Sequence, residues 1–109
     1  MKNLMTTDGT SNNAELMCPM CGVEVGLHIT KVEILTGKYS LVANSLGIKT
    51  NPEPSMAAVG NRGAIVKLGL ACECCGHVGI IDFAFRKGMI TVDCEDLGED
   101  SKWSDLWRD

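Results

Sequence analysis

The stretch that decides the fold is Cys72-Glu73-Cys74-Cys75-Gly76-His77, read together with an earlier one, Cys18-Pro19-Met20-Cys21-Gly22. Each holds a pair of cysteines in C-x-x-C spacing with a glycine directly after the second. In such a turn the chain doubles back so that both thiolates face one ion. The following residue is pushed to φ > 0, where glycine has no Cβ to clash. Two knuckles of this kind facing one another supply four sulfurs to a closed tetrahedral site, the geometry of structural zinc. The spacing therefore predicts one structural Zn²⁺ held by Cys18, Cys21, Cys72 and Cys75.

The fifty residues between Cys21 and Cys72 form a long insertion between the knuckles. Closing a loop of that length costs roughly 3 to 4 kcal/mol, whereas structural zinc contributes about 10 to 16 kcal/mol in small peptides. Metal binding outweighs closure. Two cysteines are left over. Cys74 sits inside the second knuckle, and the match of Cys75-Gly76 to Cys21-Gly22 turns it away from the ion; Cys94 ends an apolar alternating run and reads as a small buried hydrophobe. His77 and His28 read as residues beside the site rather than ligands.

Outward from the knuckles, the pattern is mainly β. Ile29 to Ile34 alternates as a strand, Gly37-Lys38 is a turn, and Tyr39 to Leu46 fits either a returning strand or a short helix. Gly47 to Gly63 is full of turn formers, among them Pro52-Glu53-Pro54, and reads as a long surface loop. From Ala64 the alternation returns and runs into the second knuckle. His77 to Phe85 leaves it as another strand, Arg86-Lys87-Gly88 is a hairpin turn, and Met89 to Cys94 is the next strand. The second half is thus an antiparallel meander with the metal at one end and the Arg86-Lys87 turn at the other. The expected organisation is a flexible polar arm over residues 1–15, a metal-bound β domain over 16–94, and an acidic tail with a short helix over 95–109.

The chain has 109 residues, enough for one small domain, and only five of them are aromatic. A core of that size needs supplementing, and metal is the supplement the cysteines offer. The formal charge of −4 is localised: residues 1–94 carry eight basic and eight acidic side chains, and residues 95–109 carry two and six. A strongly basic nucleic-acid binder is excluded as the default. The first residues lack the apolar core of a signal peptide, and no run reaches the length of a membrane span. These features point to the cytoplasm, where cysteines bind metal more often than they form disulfides.

The string Gly60-Asn61-Arg62-Gly63, an alternating strand, the second knuckle through His77, another strand, and Arg86-Lys87-Gly88 resembles the zinc ribbon family. It is most similar to the small zinc ribbons common in bacteriophages and bacterial mobile elements. With the first knuckle the resemblance covers about Met17 to Glu95. It implies a zinc-ribbon fold and one zinc; most proteins of this pattern have no assigned activity. Arg86 stands where the pattern prefers histidine.

No nucleophile, base and orienting group can be picked out, and a closed four-thiolate site leaves no open position for substrate. The expectation is a non-enzymatic accessory protein that binds a protein partner. Its anchor would be the tail, where Trp103, Leu106 and Trp107 fall on one face of a helical turn amid acidic residues. The competing placement has these residues fold back to cover the domain's own sheet. An alternative function is nucleic-acid binding of the transcription-related zinc-ribbon kind, through Lys31, Lys38, Arg62, Lys67, Arg86 and Lys87. A remote one is a rubredoxin-like electron carrier with iron in the thiolate site, although neither knuckle has the aromatic neighbours of rubredoxins.

Overall fold

A computed structural model of the chain describes residues 5–7, 14–23, 25–52 and 63–106. Two short strands come first, β1 (Met5–Thr7) and β2 (Ala14–Leu16), paired with each other. The remaining strands are β3 (Leu27–Thr36), β4 (Ser40–Asn44), β5 (Gly47–Asn51), β6 (Gly63–Cys72), β7 (His77–Arg86) and β8 (Met89–Glu99). They form one six-stranded antiparallel sheet in the order β5-β4-β3-β6-β7-β8. The predicted meander, with the second knuckle as its first turn, is present as β6, β7 and β8.

Each hairpin has a local chemical cause. At the β3–β4 turn, Thr36 Oγ1 accepts from the backbone N–H of Lys38 and of Tyr39, both at 3.0 Å. Asn44 Oδ1 accepts from Leu46 N–H at 2.8 Å and so bends β4 into β5. Between β7 and β8 the two turn residues Lys87 and Gly88 have φ of 50° and 80°. This is the primed turn whose twist matches that of the flanking strands.

Three expectations are corrected. The stretch after Gly47 is not all loop: Gly47–Asn51 is an edge strand, held by pairing with β4 although its side chains are exposed. The polar arm contains the β1–β2 pairing. No helix occurs among the described residues, which end at Leu106, so the predicted C-terminal helix is not supported there. Instead β8 runs on through Glu99, past a bulge opposite Val78 and Gly79. An isolated helix of a few residues is marginal in water, whereas a strand continuing beside β7 gains ladder hydrogen bonds at each step.

The register sorts the side chains into two unlike faces, because residues directly opposite one another share a side. One face carries the cross-sheet row Ile48, Ala43, Val32, Leu68, Ile81 and Cys94. The adjacent row on that face is Thr50, Leu41, Ile34, Val66, Phe83 and Val92. Neither row contains a charge. The opposite face carries Lys49, Val42, Glu33, Lys67, Asp82 and Asp93 in a single row. Full burial is confined to the cysteine end, where Cys18, Leu70, Ala71, Cys72 and Ile81 are at most 1% exposed.

Candidate metal centre

The two knuckles are built alike. Gly22 N–H donates to Cys18 C=O at 2.8 Å, and Gly76 N–H donates to Cys72 C=O at 3.0 Å. Both glycines have positive φ, 84° and 74°, as the spacing requires. The second knuckle closes the β6–β7 hairpin, and the first is carried over the apolar face beside it. Met20 marks the contact: a Cβ placed on Gly79 would lie 2.9 Å from Met20 Sδ and 2.8 Å from Glu95 C=O. Glycine is therefore what lets the first knuckle and β8 approach β7 at this point.

This approach brings Cys18, Cys21, Cys72 and Cys75 together, with all four sulfurs within 4.8 Å of one another. Cys21 Sγ and Cys72 Sγ are 3.7 Å apart. A tetrahedral ion with metal–sulfur bonds of about 2.3 Å has sulfur–sulfur edges of about 3.8 Å, so the cluster has the dimensions of a four-thiolate metal site. All four are free thiols. These residues would hold the ion, and what it supplies is a covalent tie between distant segments of chain.

Without an ion the cluster resists full ionisation. Burial pushes the Cys18 thiol up to about 12, against the N–H groups of Cys21 and Met20. Cys75 is also raised, first by burial and then by its thiol neighbours. Burial acts on Cys72 in the same direction, but N–H donors from Cys75 and Cys74 and hydrogen bonds from Cys18 and Cys75 outweigh it and bring Cys72 down to about 7. The Cys72 thiolate is thus favoured and those of Cys18 and Cys75 are opposed, until a cation compensates the charge.

The other sulfurs stand apart from the cluster. Cys74 is exposed, 3.7 Å from Val25 C=O. Cys94 is half-buried on the apolar face, its thiol raised by burial and then by Asp93 and Asp82. His77 is not a ligand: its Nδ1 is 2.9 Å from Asp96 Oδ1. His28 pairs with Asp105 through Nδ1 at 2.7 Å and with Glu73 through Nε2. Trp103 stacks on the same imidazole, ring centroids 4.8 Å apart and tilted by 38°.

That cluster redefines the tail. β4 ends at Asn44 opposite Lys31, so the first residues of β3 have no strand on that side. The tail fills the gap: Leu106 N–H donates to Ile29 C=O at 2.8 Å. Asp100 N–H donates to Gly76 C=O at 3.1 Å, which ties the start of the tail to the second knuckle. Trp103 and Leu106 are half-buried against their own domain rather than displayed on a helix; Trp107 lies outside the described residues. Nothing local in the sequence announces the trio of His28, Glu73 and Asp105, whose members are 45 and 77 residues apart.

The basic residues separate into two groups. Lys38, Arg86 and Lys87 line one cleft at the turn end of the sheet together with Tyr39 and Phe85, and no carboxylate is among the described residues around it. Lys31 and Lys67 lie mid-sheet on the polar face, Lys67 directly between Glu33 and Asp82. Arg62 lies outside the described residues. The charge is therefore polar along the strands, since the cleft beside the knuckles is lined by Glu73, Glu99, Asp100 and Asp105.

Fold and site define an antiparallel β-sheet protein with a four-cysteine centre that fits a metal ion. No protein-family model, curated protein or solved structure matches the chain.

Proposed function

We propose that this chain is a non-enzymatic, zinc-stapled accessory module of the cytoplasm that works by binding protein through the uncovered apolar face of its sheet. The observation that carries this reading is the pair of charge-free rows spanning all six strands. The face is open to solvent at its margins: Ile48, at the β5 end of one row, is 71% exposed, and Ile90, next to Val92 on the same face of β8, is 60% exposed. A contiguous apolar surface of this kind marks an interaction site. Zinc suits four thiolates in a closed site, and its role is to hold the two knuckles together. A phage or mobile-element origin rests on the sequence motif from Gly60 to Gly88 alone.

The test is capture by the immobilised, metal-loaded chain from nuclease-treated lysate. Protein bound by the wild type should be lost with Ile48→Lys plus Ile90→Lys and kept with Lys38→Glu plus Lys87→Glu. The reverse pattern sinks the reading. One zinc per chain by elemental analysis, in a colourless protein, excludes the rubredoxin-like electron carrier.

The cleft of Lys38, Arg86 and Lys87 beside two aromatic rings favours a second reading, single-stranded nucleic acid bound by phosphate contacts and base stacking. Its check is anisotropy of a labelled oligonucleotide at rising salt, where absence of binding at low salt eliminates it.

A further inference from the structure

We propose that the occupant of the apolar face is a second copy of this chain, so that two sheets pack face to face about a twofold axis near Ile34 and Val66. The inference rests on the reading that this face is the binding surface, and it names the partner.

The face is self-compatible. Because its two complete rows hold no charged residue, apposing it to itself buries neither an unpaired nor a like-charged group. The polar face could not do this, since its central row would set Asp82 and Asp93 into a dry interface. Strand geometry also brings side chains of two such sheets into contact at about 10 Å separation.

Coverage from within the chain is partial. The first knuckle shields the cysteine end, where Met20 meets Gly79 and where Leu70 and Ile81 are fully buried. Beyond it the cover stops: Phe85, Ile90 and Ile48 on this face are 38%, 60% and 71% exposed. Among the described residues, the β1–β2 hairpin makes no close contact with the sheet. The tail attaches to β3 through Ile29 and His28, at the edge and cysteine end.

The area is sufficient. Four strands of about ten residues and two of five, spaced at about 4.8 Å with about 3.3 Å per residue, present about 800 Å² of face. If the knuckle covers about a third, two copies still bury about 1,000 Å² in total, the lower bound for a specific interface. The dimer should accordingly be reversible on dilution rather than obligate.

Sedimentation of the metal-loaded full chain over a concentration series is the experiment. The expected result is a particle of twice the 11.7 kDa chain that dissociates on dilution. Ile48→Lys plus Ile90→Lys should raise the dissociation constant by at least about a hundredfold while zinc stoichiometry stays unchanged. Thr91→Lys is the control, because it lies on the same edge strand as Ile90 but on the other face. A dimer lost equally with Thr91→Lys is an edge-to-edge pair, and overturns the proposal. So does a dimer indifferent to the Ile48 and Ile90 changes. A chain monomeric at every concentration also overturns it; if that monomer still captures another protein through Ile48 and Ile90, the functional reading stands without the second copy. A monomer that captures nothing sinks both.

Discussion

His28 and Asp105 are 77 residues apart in sequence, and Nδ1 of the first lies 2.7 Å from Oδ1 of the second. Asp105 is only 6% exposed, so a carboxylate sits in the interior against an imidazole whose other nitrogen meets Glu73. The acidic tail, which its composition marks as a detachable arm, is thereby latched to the cysteine end of the sheet.

Breaking that latch should release the tail. His28→Ala leaves Asp105 buried without this partner and should cost about 1 to 3 kcal/mol, read as a lower denaturation midpoint. It should also expose the bonds after Asp100 to proteolysis. Asp105→Asn, which keeps the shape and one acceptor, should have the smaller effect.

The latch should also depend on pH. Glu73 first, opposed by burial and then aided by Asp105, raises the His28 pKa above its ordinary 6.5. A group whose pKa is raised on folding stabilises fully below its unfolded pKa, and that contribution fades as pH rises through the folded value. Following Trp103 fluorescence from pH 6 upward should show the tail loosening on the alkaline side; tightening there would contradict this pairing.

Removing the metal should unfold the cysteine end. A chelator, or Cys18→Ser or Cys75→Ser, should abolish metal binding and collapse the amide dispersion of β6 and β7 in NMR spectra. Cys74→Ser and Cys94→Ser should retain full stoichiometry, because neither sulfur belongs to the four-sulfur cluster. Retention of metal by Cys75→Ser would make Cys74 the ligand instead.

Gly79→Ala tests the packing of the first knuckle. The added methyl would meet Glu95 C=O at 2.8 Å and Met20 Sδ at 2.9 Å. Met20 can swing aside, but the β8 backbone cannot without breaking its ladder. A loss of about 1 to 3 kcal/mol is expected from overpacking, measured by denaturation of the metal-loaded protein.

The β7–β8 turn offers the opposite sign. Lys87 has a φ of 50°, a conformation that asparagine tolerates better than lysine at this position of a primed turn. Lys87→Asn should therefore raise the thermal midpoint modestly, and a decrease would argue against the turn as described.

Much of the architecture was legible because its signals are local. The C-x-x-C-G knuckles need only five residues each, and the β6–β7–β8 meander follows from strict alternation broken by a knuckle and by Lys87-Gly88. β5 was not legible: it is a short, polar edge strand whose order comes from β4 and from the Asn44 side chain. The tail misled for a related reason. Trp103 and Leu106 are spaced as in a helix, but the strand that precedes them and the vacant edge of β3 offer hydrogen bonds that an isolated turn of helix lacks.

Spacing and residue chemistry alone determined the four cysteines that cluster, the β class and the concentration of negative charge in the last fifteen residues. The tertiary structure decided where that charge goes, because Asp105 meets His28 on β3 and Asp100 N–H donates to Gly76 C=O of the second knuckle. It also decided that two charge-free rows line up across six strands on one side of the sheet, since only the pairing register converts separate alternations into continuous rows.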